Sequence, residues 1–288
     1  MMWAFLHNRS ICRADSCGNT FVLIDGRRSP LTLCPEEIKA LCTKSQGLDA
    51  DGLIIFEEVR AYHTYKMQYF NCDGYPADLC GNGLLSLARW IYELYQEEGQ
   101  NENKFHPKSF VIESAKASHH IRVEKGLEED GVRVTCQMPE IEDIEETTLE
   151  GHSLFIAKCG VPHLVLEGSS SANLKDELQK YAAIYRHHPH FEKRGGVNVN
   201  VVCFERGILY ARTFERGVEG ETESCGTGAT AIAYFAHKTL GASYPIQVHM
   251  PGGVLSVNNL STTGASISSR CLELTTSPKL FSVSPPLC

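Results

Sequence analysis

At 288 residues, with 42% hydrophobic and 22% charged side chains, the chain has the composition of a globular protein and the length of two ordinary domains. Its formal charge of −8 argues against nucleic acid as a partner, which would need clustered Lys and Arg, and offers no attraction to an anionic membrane. No stretch approaches the roughly 18–20 apolar residues that span a bilayer, and residues 1–6 are too short an apolar start for a secretory signal, so the cytoplasm is the expected compartment.

In chain order, short apolar or alternating segments predict strands at residues 21–24, 53–56, 65–70, 110–112, 121–123 and 132–134. The second half adds 163–166, 197–204, 208–214, 246–250 and 254–257. Few of these are separated by the length of a helix, so antiparallel pairing is expected to dominate. Residues 35–44 predict a helix, with Pro35 in its first turn and Glu36 and Glu37 behind it. Residues 173–185 predict a similar, exposed helix. Residues 84–92 and 229–236 differ in kind, because they are apolar over most of their circumference and so belong in an interior. Residues 96–103 read as a loop, the acidic run 140–150 as a solvated linker, and 168–171 as a flexible turn.

These elements predict an α+β fold of two pseudo-symmetric domains, each a curved, mostly antiparallel sheet or barrel wrapped around a central buried helix. The first takes residues 1–130 and 270–288 and carries Cys80. The second takes 131–269 and carries Cys225, with the active site expected in the cleft between them.

Twelve cysteines are many, yet none form Cys-x-x-Cys, and Cys12 and Cys17 have no Cys or His cluster beside them. A zinc site is therefore not expected, and most of these thiols read as small buried hydrophobes. Two stand apart. Cys80-Gly81-Asn82-Gly83 returns 145 residues later (225 − 80) as Cys225-Gly226-Thr227-Gly228, each time opening an apolar helix. Read once, Cys-Gly-x-Gly is merely a tight turn into a helix. Read twice at half-length, it puts one thiol at the mouth of a buried helix in each half.

A helix N-terminus offers free N–H groups and a partial positive charge, which suits a carboxylate. Glycine lets the anion approach the backbone, and the same field is expected to lower the thiol pKa. Two such ends would hold one carboxylate while a thiolate removes the α-proton and a thiol returns one to the other face. That chemistry is racemisation or epimerisation with no cofactor.

At these residues the chain resembles the diaminopimelate epimerase family over nearly its whole length. The resemblance is carried by Glu215-Arg216-Gly217-Val218-Glu219-Gly220-Glu221-Thr222-Glu223-Ser224-Cys225-Gly226-Thr227-Gly228, and by Asn71-Cys72-Asp73-Gly74 leading to Cys80. Cys17-Gly18-Asn19-Thr20, Pro162-His163, Val197-Asn198 and Pro251-Gly252-Gly253 match shorter motifs. It implies inversion of LL-diaminopimelate to the meso form, a step toward lysine and peptidoglycan precursors, with Cys80 and Cys225 as acid and base. Backbone amides of Gly81, Asn82, Gly226 and Thr227 would hold the reacting carboxylate. Asn19, Asn71, Asn198, Glu215 and Arg216 would read the substrate, Arg216 gripping its far carboxylate, and His163 and Glu215 would tune the sulfurs. A small-molecule amino acid is the implied partner, and the resemblance allows a homodimer.

The chain departs from the family pattern around the far end of the substrate. Gly160-Val161-Pro162-His163 stands where the family usually has Gly-Asn-Pro-His, Tyr75 replaces a small residue, and Leu84-Leu85-Ser86 replaces a stretch often containing Arg-Cys. Gly52 stands where some members carry glutamine. Three rival readings are a proline- or hydroxyproline-racemase-like enzyme, a thiol redox protein using Cys80 and Cys225, and a non-catalytic amino-acid binding protein. The Glu-Arg-Gly element and Asn82 disfavour the first, the lack of Cys-x-x-Cys the second, and retention of both thiols the third.

Overall fold

The computed structural model describes residues 6, 8–44, 47–59, 63–77, 80–99, 108–115, 117–126, 131–259 and 272–283. The chain divides into two compact units, one formed by Met1–Cys136 with Ser277–Cys288 and the other by Gln137–Thr276.

Unit 1 begins with the hairpin β1 (Ile11–Ser16) and β2 (Asn19–Asp25), turned through Cys17 and Gly18 at positive φ. Helix α1 (Pro35–Cys42) follows, then β3 (Gly52–Val59), β4 (Thr64–Asn71), β5 (Pro76–Ala77), α2 (Gly81–Gly99), β6 (Ser109–Glu113), β7 (Ser118–Lys125) and β8 (Val132–Gln137). The last strand of the chain, β18 (Lys279–Ser282), returns to pair antiparallel with β1. Two pairings are parallel, β2 with β3 and β4 with β6, and the remaining pairings in the unit are antiparallel. Parallel neighbours require a crossover, and α1 and α2 supply the two that are needed. Helix α2 packs against β1, β2, β3, β7 and β18, so the sheet curves around it. Leu84, Leu85, Leu87, Ala88 and Ile91 are buried there.

Unit 2 repeats this order. It comprises β9 (Ile141–Leu149), β10 (His152–Cys159), β11 (Val161–Glu167), α3 (Leu174–Tyr185), β12 (Asn198–Glu205), β13 (Ile208–Glu215), β14 (Gly220–Thr222), α4 (Gly226–Leu240), β15 (Ile246–Met250), β16 (Gly253–Asn259) and β17 (Leu272–Thr276). Again two pairings are parallel, β11 with β12 across α3 and β13 with β15 across α4. Again the longer central helix is enclosed, with Ala229 through Ala236 all buried against the surrounding strands. The α+β architecture of a curved sheet around one buried helix, made twice, is therefore observed.

Several elements differ from expectation. The acidic run 140–150 is no linker: residues 141–149 form β9, whose Ile141 is fully buried while Glu142 pairs with Lys158 and Glu145 with Arg194, each at 2.8 Å. Its charges belong to a strand whose cationic partners, Lys158 and Arg194, lie on other segments. Helix α2 continues through Gly99, so half of the expected loop at 96–103 is helical, and residues 100–103 lie outside the described set. Helix α3 is amphipathic rather than exposed, since Leu174, Leu178, Ala182 and Tyr185 form one buried stripe at helical spacing. The turn at 168–171 is pinned: Gly168 N–H donates to the Val202 carbonyl, and the Ser171 hydroxyl to Glu205 at 2.6 Å. Strands β1 and β10 were hidden by the charges that they carry at Arg13, Asp15 and Lys158.

The buried stripe of α3 packs into a core with Ile156, Leu164, Phe191, Val199 and Val201. Leu178→Ala should therefore destabilise the protein by about 2–5 kcal/mol, whereas Gln179→Ala on the exposed face should stay within about 0.5 kcal/mol. Urea unfolding monitored by circular dichroism measures both, and equal effects would contradict the packing described.

Candidate active site

In unit 1 the start of α2 sits on the strand ends that carry the candidate asparagines. Register pairs Phe21 with Gly52 and Gly52 with Asn71, while Asn19 opens β2 opposite Ser16. Asp51 braces this corner, accepting from Thr20 N–H at 2.8 Å, and its carbonyl accepts from Cys72 N–H at 3.1 Å. The Cys80 carbonyl accepts the first helical bond, from Leu84 N–H at 2.9 Å, which makes Cys80 the capping residue of α2. Cys80 is partly buried, and Asn82 in the first turn is buried. A Cβ at Gly83 would lie 2.9 Å from Ile54 Cδ1 and 3.2 Å from Phe21 Cε1, so glycine is what lets this turn lie on the sheet. A Cβ at Gly52 would meet the Tyr69 ring at 2.6 Å, which leaves no space for a side chain such as glutamine. Tyr75 projects outward on the turn after Asn71 and is 64% exposed.

Unit 2 builds the matching corner in more detail. Cys225 caps α4, and its Sγ accepts from Gly228 N–H at 3.4 Å. Thr227 Oγ1 lies 3.5 Å from the same sulfur. The Glu215 carboxylate is near enough to act electrostatically on the thiol, and accepts from Thr222 Oγ1 at 2.6 Å. His163, fully buried on β11, has Nε2 3.1 Å from Thr227 Oγ1 and Nδ1 3.3 Å from Asn200 Nδ2. Asn198 Oδ1 accepts from Arg216 N–H at 2.8 Å, and Arg216 Nη1 donates to the carbonyls of Arg194 and Gly195 at 3.2 and 3.1 Å. The structure thus brings His163, Asn198, Glu215, Arg216, Cys225, Gly226 and Thr227 into one neighbourhood of unit 2, while in unit 1 the turn that carries Cys80, Gly81 and Asn82 lies on Phe21 and Ile54, and Gly52 lies between Phe21 and Asn71 in register.

The electrostatics of Cys225 reverse the expectation that a helix N-terminus lowers its pKa. Burial pushes the thiol well above its usual range and the neighbouring Glu215 carboxylate adds to this, against smaller opposing bonds from Thr227 and Gly228. Burial also raises Glu215, partly offset by the bonds from Thr222 and Cys225. His163 is pushed down to about 3, first by burial and then by the Arg216 charge, so it is neutral at physiological pH.

Sequence reasoning missed Asn200, Thr213, Thr222 and Arg186. Asn200 was legible in principle, since Asn198 and Asn200 share one face of a strand by simple alternation. Arg186 was not: its side chain is buried under Gly196 and pairs with Glu219, bracing the turn that bears Arg216. A cavity of about 360 Å3 within unit 2 is lined by Lys158, Gly160, Pro162, Lys193, Arg194 and Arg216 among others, and not by Cys225. Among the described residues no group of three or more His, Cys, Asp or Glu is placed to hold a metal, and no helix is long and apolar enough to cross a membrane.

The diaminopimelate epimerase family profile matches residues 14–129 and 155–269. A diaminopimelate epimerase of Gemmatimonas aurantiaca is 34% identical over 229 residues, covering 78% of each chain. One of Aquifex aeolicus is 32% identical over 263 residues, covering 85% of this chain and 88% of its own. A chloroplastic diaminopimelate epimerase of Oryza sativa subsp. japonica is 29% identical, covering 88% and 77%. Among solved structures, a phenazine biosynthesis protein of the PhzF family from Bacillus anthracis superposes with a TM-score of 0.68 at 14% identity, covering 96% and 98%. A probable proline racemase from Agrobacterium radiobacter gives 0.64 at 14%, covering 97% and 93%. At such identities these two likenesses speak for the fold.

His163 makes stability depend on pH. Its folded pKa of about 3 lies below the unfolded 6.5, so its contribution is complete above pH 6.5 and is lost as pH falls toward 3. Between those limits wild-type stability should fall more steeply than that of His163→Gln, by about 1.4 kcal/mol per pH unit. Urea titrations at pH 4, 5, 6 and 7 (about unit steps) on both proteins measure the difference, and parallel slopes would contradict a buried neutral imidazole.

Proposed function

The chain belongs to the diaminopimelate epimerase family, and from that premise we propose that it inverts the α-carbon of LL-diaminopimelate to give the meso form. The single observation that carries this reading is the same device in both units: a cysteine capping an enclosed helix whose first turn is built of glycine and small polar residues. In this reading Cys80 and Cys225 are the two acid/base groups, one removing the α-proton and the other returning one.

Loss of an α-proton leaves negative charge that the substrate carboxylate must accept. First-turn amides of α2 (Gly81, Asn82) and α4 (Gly226, Thr227) are fixed donors for it, and a single aimed donor contributes about 3–4 kcal/mol to such a transition state. No cofactor takes part. Cys225, kept protonated by burial and Glu215, returns the proton while Cys80 as thiolate removes one. In the reverse direction the sulfurs exchange roles: the Cys225 thiolate left by one turnover removes the α-proton, and the Cys80 thiol formed in it returns one. Arg216 is oriented by two backbone carbonyls and by Asn198, which suits a bidentate grip on the far carboxylate. Asn19 and Asn71 read the substrate from unit 1.

Incubation of LL-diaminopimelate in deuterated water with reductant, followed by NMR, should show α-deuteration together with appearance of the meso form. Cys80→Ala and Cys225→Ala should each lower the rate by roughly 10²–10⁴-fold with the circular dichroism spectrum unchanged. Retention of full activity by either variant would refute the two-base scheme. Racemisation of proline, with none of diaminopimelate, would replace this substrate assignment.

A further inference from the structure

Behind Cys225 lies a chain of hydrogen bonds whose direction can be worked out from its far end. Asn200 is fully buried on β12, in parallel register beside β11, which carries His163. Its Nδ2 donates to the Leu164 carbonyl at 2.8 Å and faces the Asn198 carbonyl at 3.5 Å. Its Oδ1 accepts from Thr213 Oγ1 at 2.8 Å. Turning the amide over would set its oxygen against two carbonyl oxygens, so the orientation is fixed by its neighbours rather than chosen. The amide nitrogen therefore presents a donor to His163 Nδ1, 3.3 Å away.

A neutral imidazole has one accepting and one donating nitrogen. With Nδ1 accepting from Asn200, the proton sits on Nε2, which donates to Thr227 Oγ1 at 3.1 Å. Thr227, now accepting from the imidazole, turns its own hydroxyl proton toward Cys225 Sγ at 3.5 Å. We infer that Asn200 is a positioning residue that fixes the Nε2–H tautomer of His163 and thereby aims a hydroxyl donor, through Thr227, at the Cys225 sulfur. The groups facing that sulfur then form two sets. Thr227 O–H and Gly228 N–H favour the thiolate, and the Glu215 carboxylate favours the thiol. His163 itself faces the Arg216 charge as well as Asn200 and Thr227, and remains neutral between them. Space around Asn200 is tight, since a Cβ at Gly228 would lie 2.9 Å from its Oδ1. Asn200, His163 and the first turn of α4 are thus locked as one body.

The inference deepens the epimerase reading, and its first two tests need no substrate. Two-bond 1H–15N spectra, with the His163 signals identified by their loss in His163→Gln, should show Nε2–H in the wild type. In Asn200→Asp, where no side-chain donor faces Nδ1, the proton should move to Nδ1. The pH profile of Cys225 alkylation by iodoacetamide, read by mass spectrometry of its peptide, should shift upward by about one pH unit in Asn200→Asp. A pocket that was merely loosened would hydrate the sulfur and shift the profile downward. Should Asn200→Asp not fold, Thr227→Val and Thr227→Ser decide the matter. Valine should give the same upward shift, and serine, which keeps the hydroxyl, should restore the wild-type profile. With diaminopimelate as substrate, Thr227→Val should lower kcat about tenfold with KM within about twofold. An Nδ1–H tautomer in the wild type, an unshifted profile in Thr227→Val, or an effect confined to KM would overturn the assignment. Absence of any epimerase activity would instead count against the functional reading, leaving the tautomer and alkylation results to stand by themselves.

Discussion

The constraint on which this structure depends is that a helix enclosed by a curved sheet cannot send its first N–H groups into bulk water. An unanswered buried donor costs about 1–3 kcal/mol, and a first turn holds several. In α4 the Cys225 sulfur answers one of them through Gly228. Amides of a helix's first turn that lack such an answer are the kind of donors that suit an anion. Because the central helix in each unit bridges two parallel strands, its start is delivered to the end of the sheet where the loops gather. Glycine at 83 and 228 is the geometric corollary, as a side chain at either position would strike the surrounding unit at about 2.9 Å.

Two electrostatic effects compete at Cys225, and their sizes decide the outcome. A helix N-terminus favours an anion by typically 0.3–1 kcal/mol, or about 2 in a partly buried setting. At a fully buried sulfur the loss of solvation works in the opposite sense and is the largest cause of the upward shift. Burial therefore wins, and the neighbouring Glu215 carboxylate reinforces it. The hydroxyl of Thr227 and the amide of Gly228 moderate the penalty without cancelling it. A thiol held in this way stays protonated, unlike the reactive, low-pKa thiols of redox proteins.

Much of the architecture was legible because its signals are local. The repeated Cys-Gly-x-Gly, the two helices apolar over most of their circumference, and the short apolar runs each show in a window of ten residues, and each corresponds to an observed element. What escaped depends on partners distant in sequence. Strand β9 reads as a charged linker until Lys158 and Arg194 are placed beside Glu142 and Glu145. The exposed helix at 174–185 acquires a buried stripe only when β12 and β13 lie under it. At the candidate site, the family motifs single out His163 and Glu215, yet the Asn200–His163 contact exists only through the parallel register of β11 and β12. No pattern in the sequence announces that Arg186 braces the turn bearing Arg216.

The return of β18 to β1 has a bearing on how the chain is made. Cys12 through Asp15 have partners among Lys279 to Ser282, with the whole of the second unit encoded in between. During synthesis the later unit, continuous in sequence, has all its strands before the earlier one does. Until then β1 carries an open backbone edge, the kind of surface that recruits strands from other molecules. The first half to leave the ribosome is the last to be completed, and its vulnerability to misassembly is set by the time needed to translate the other half.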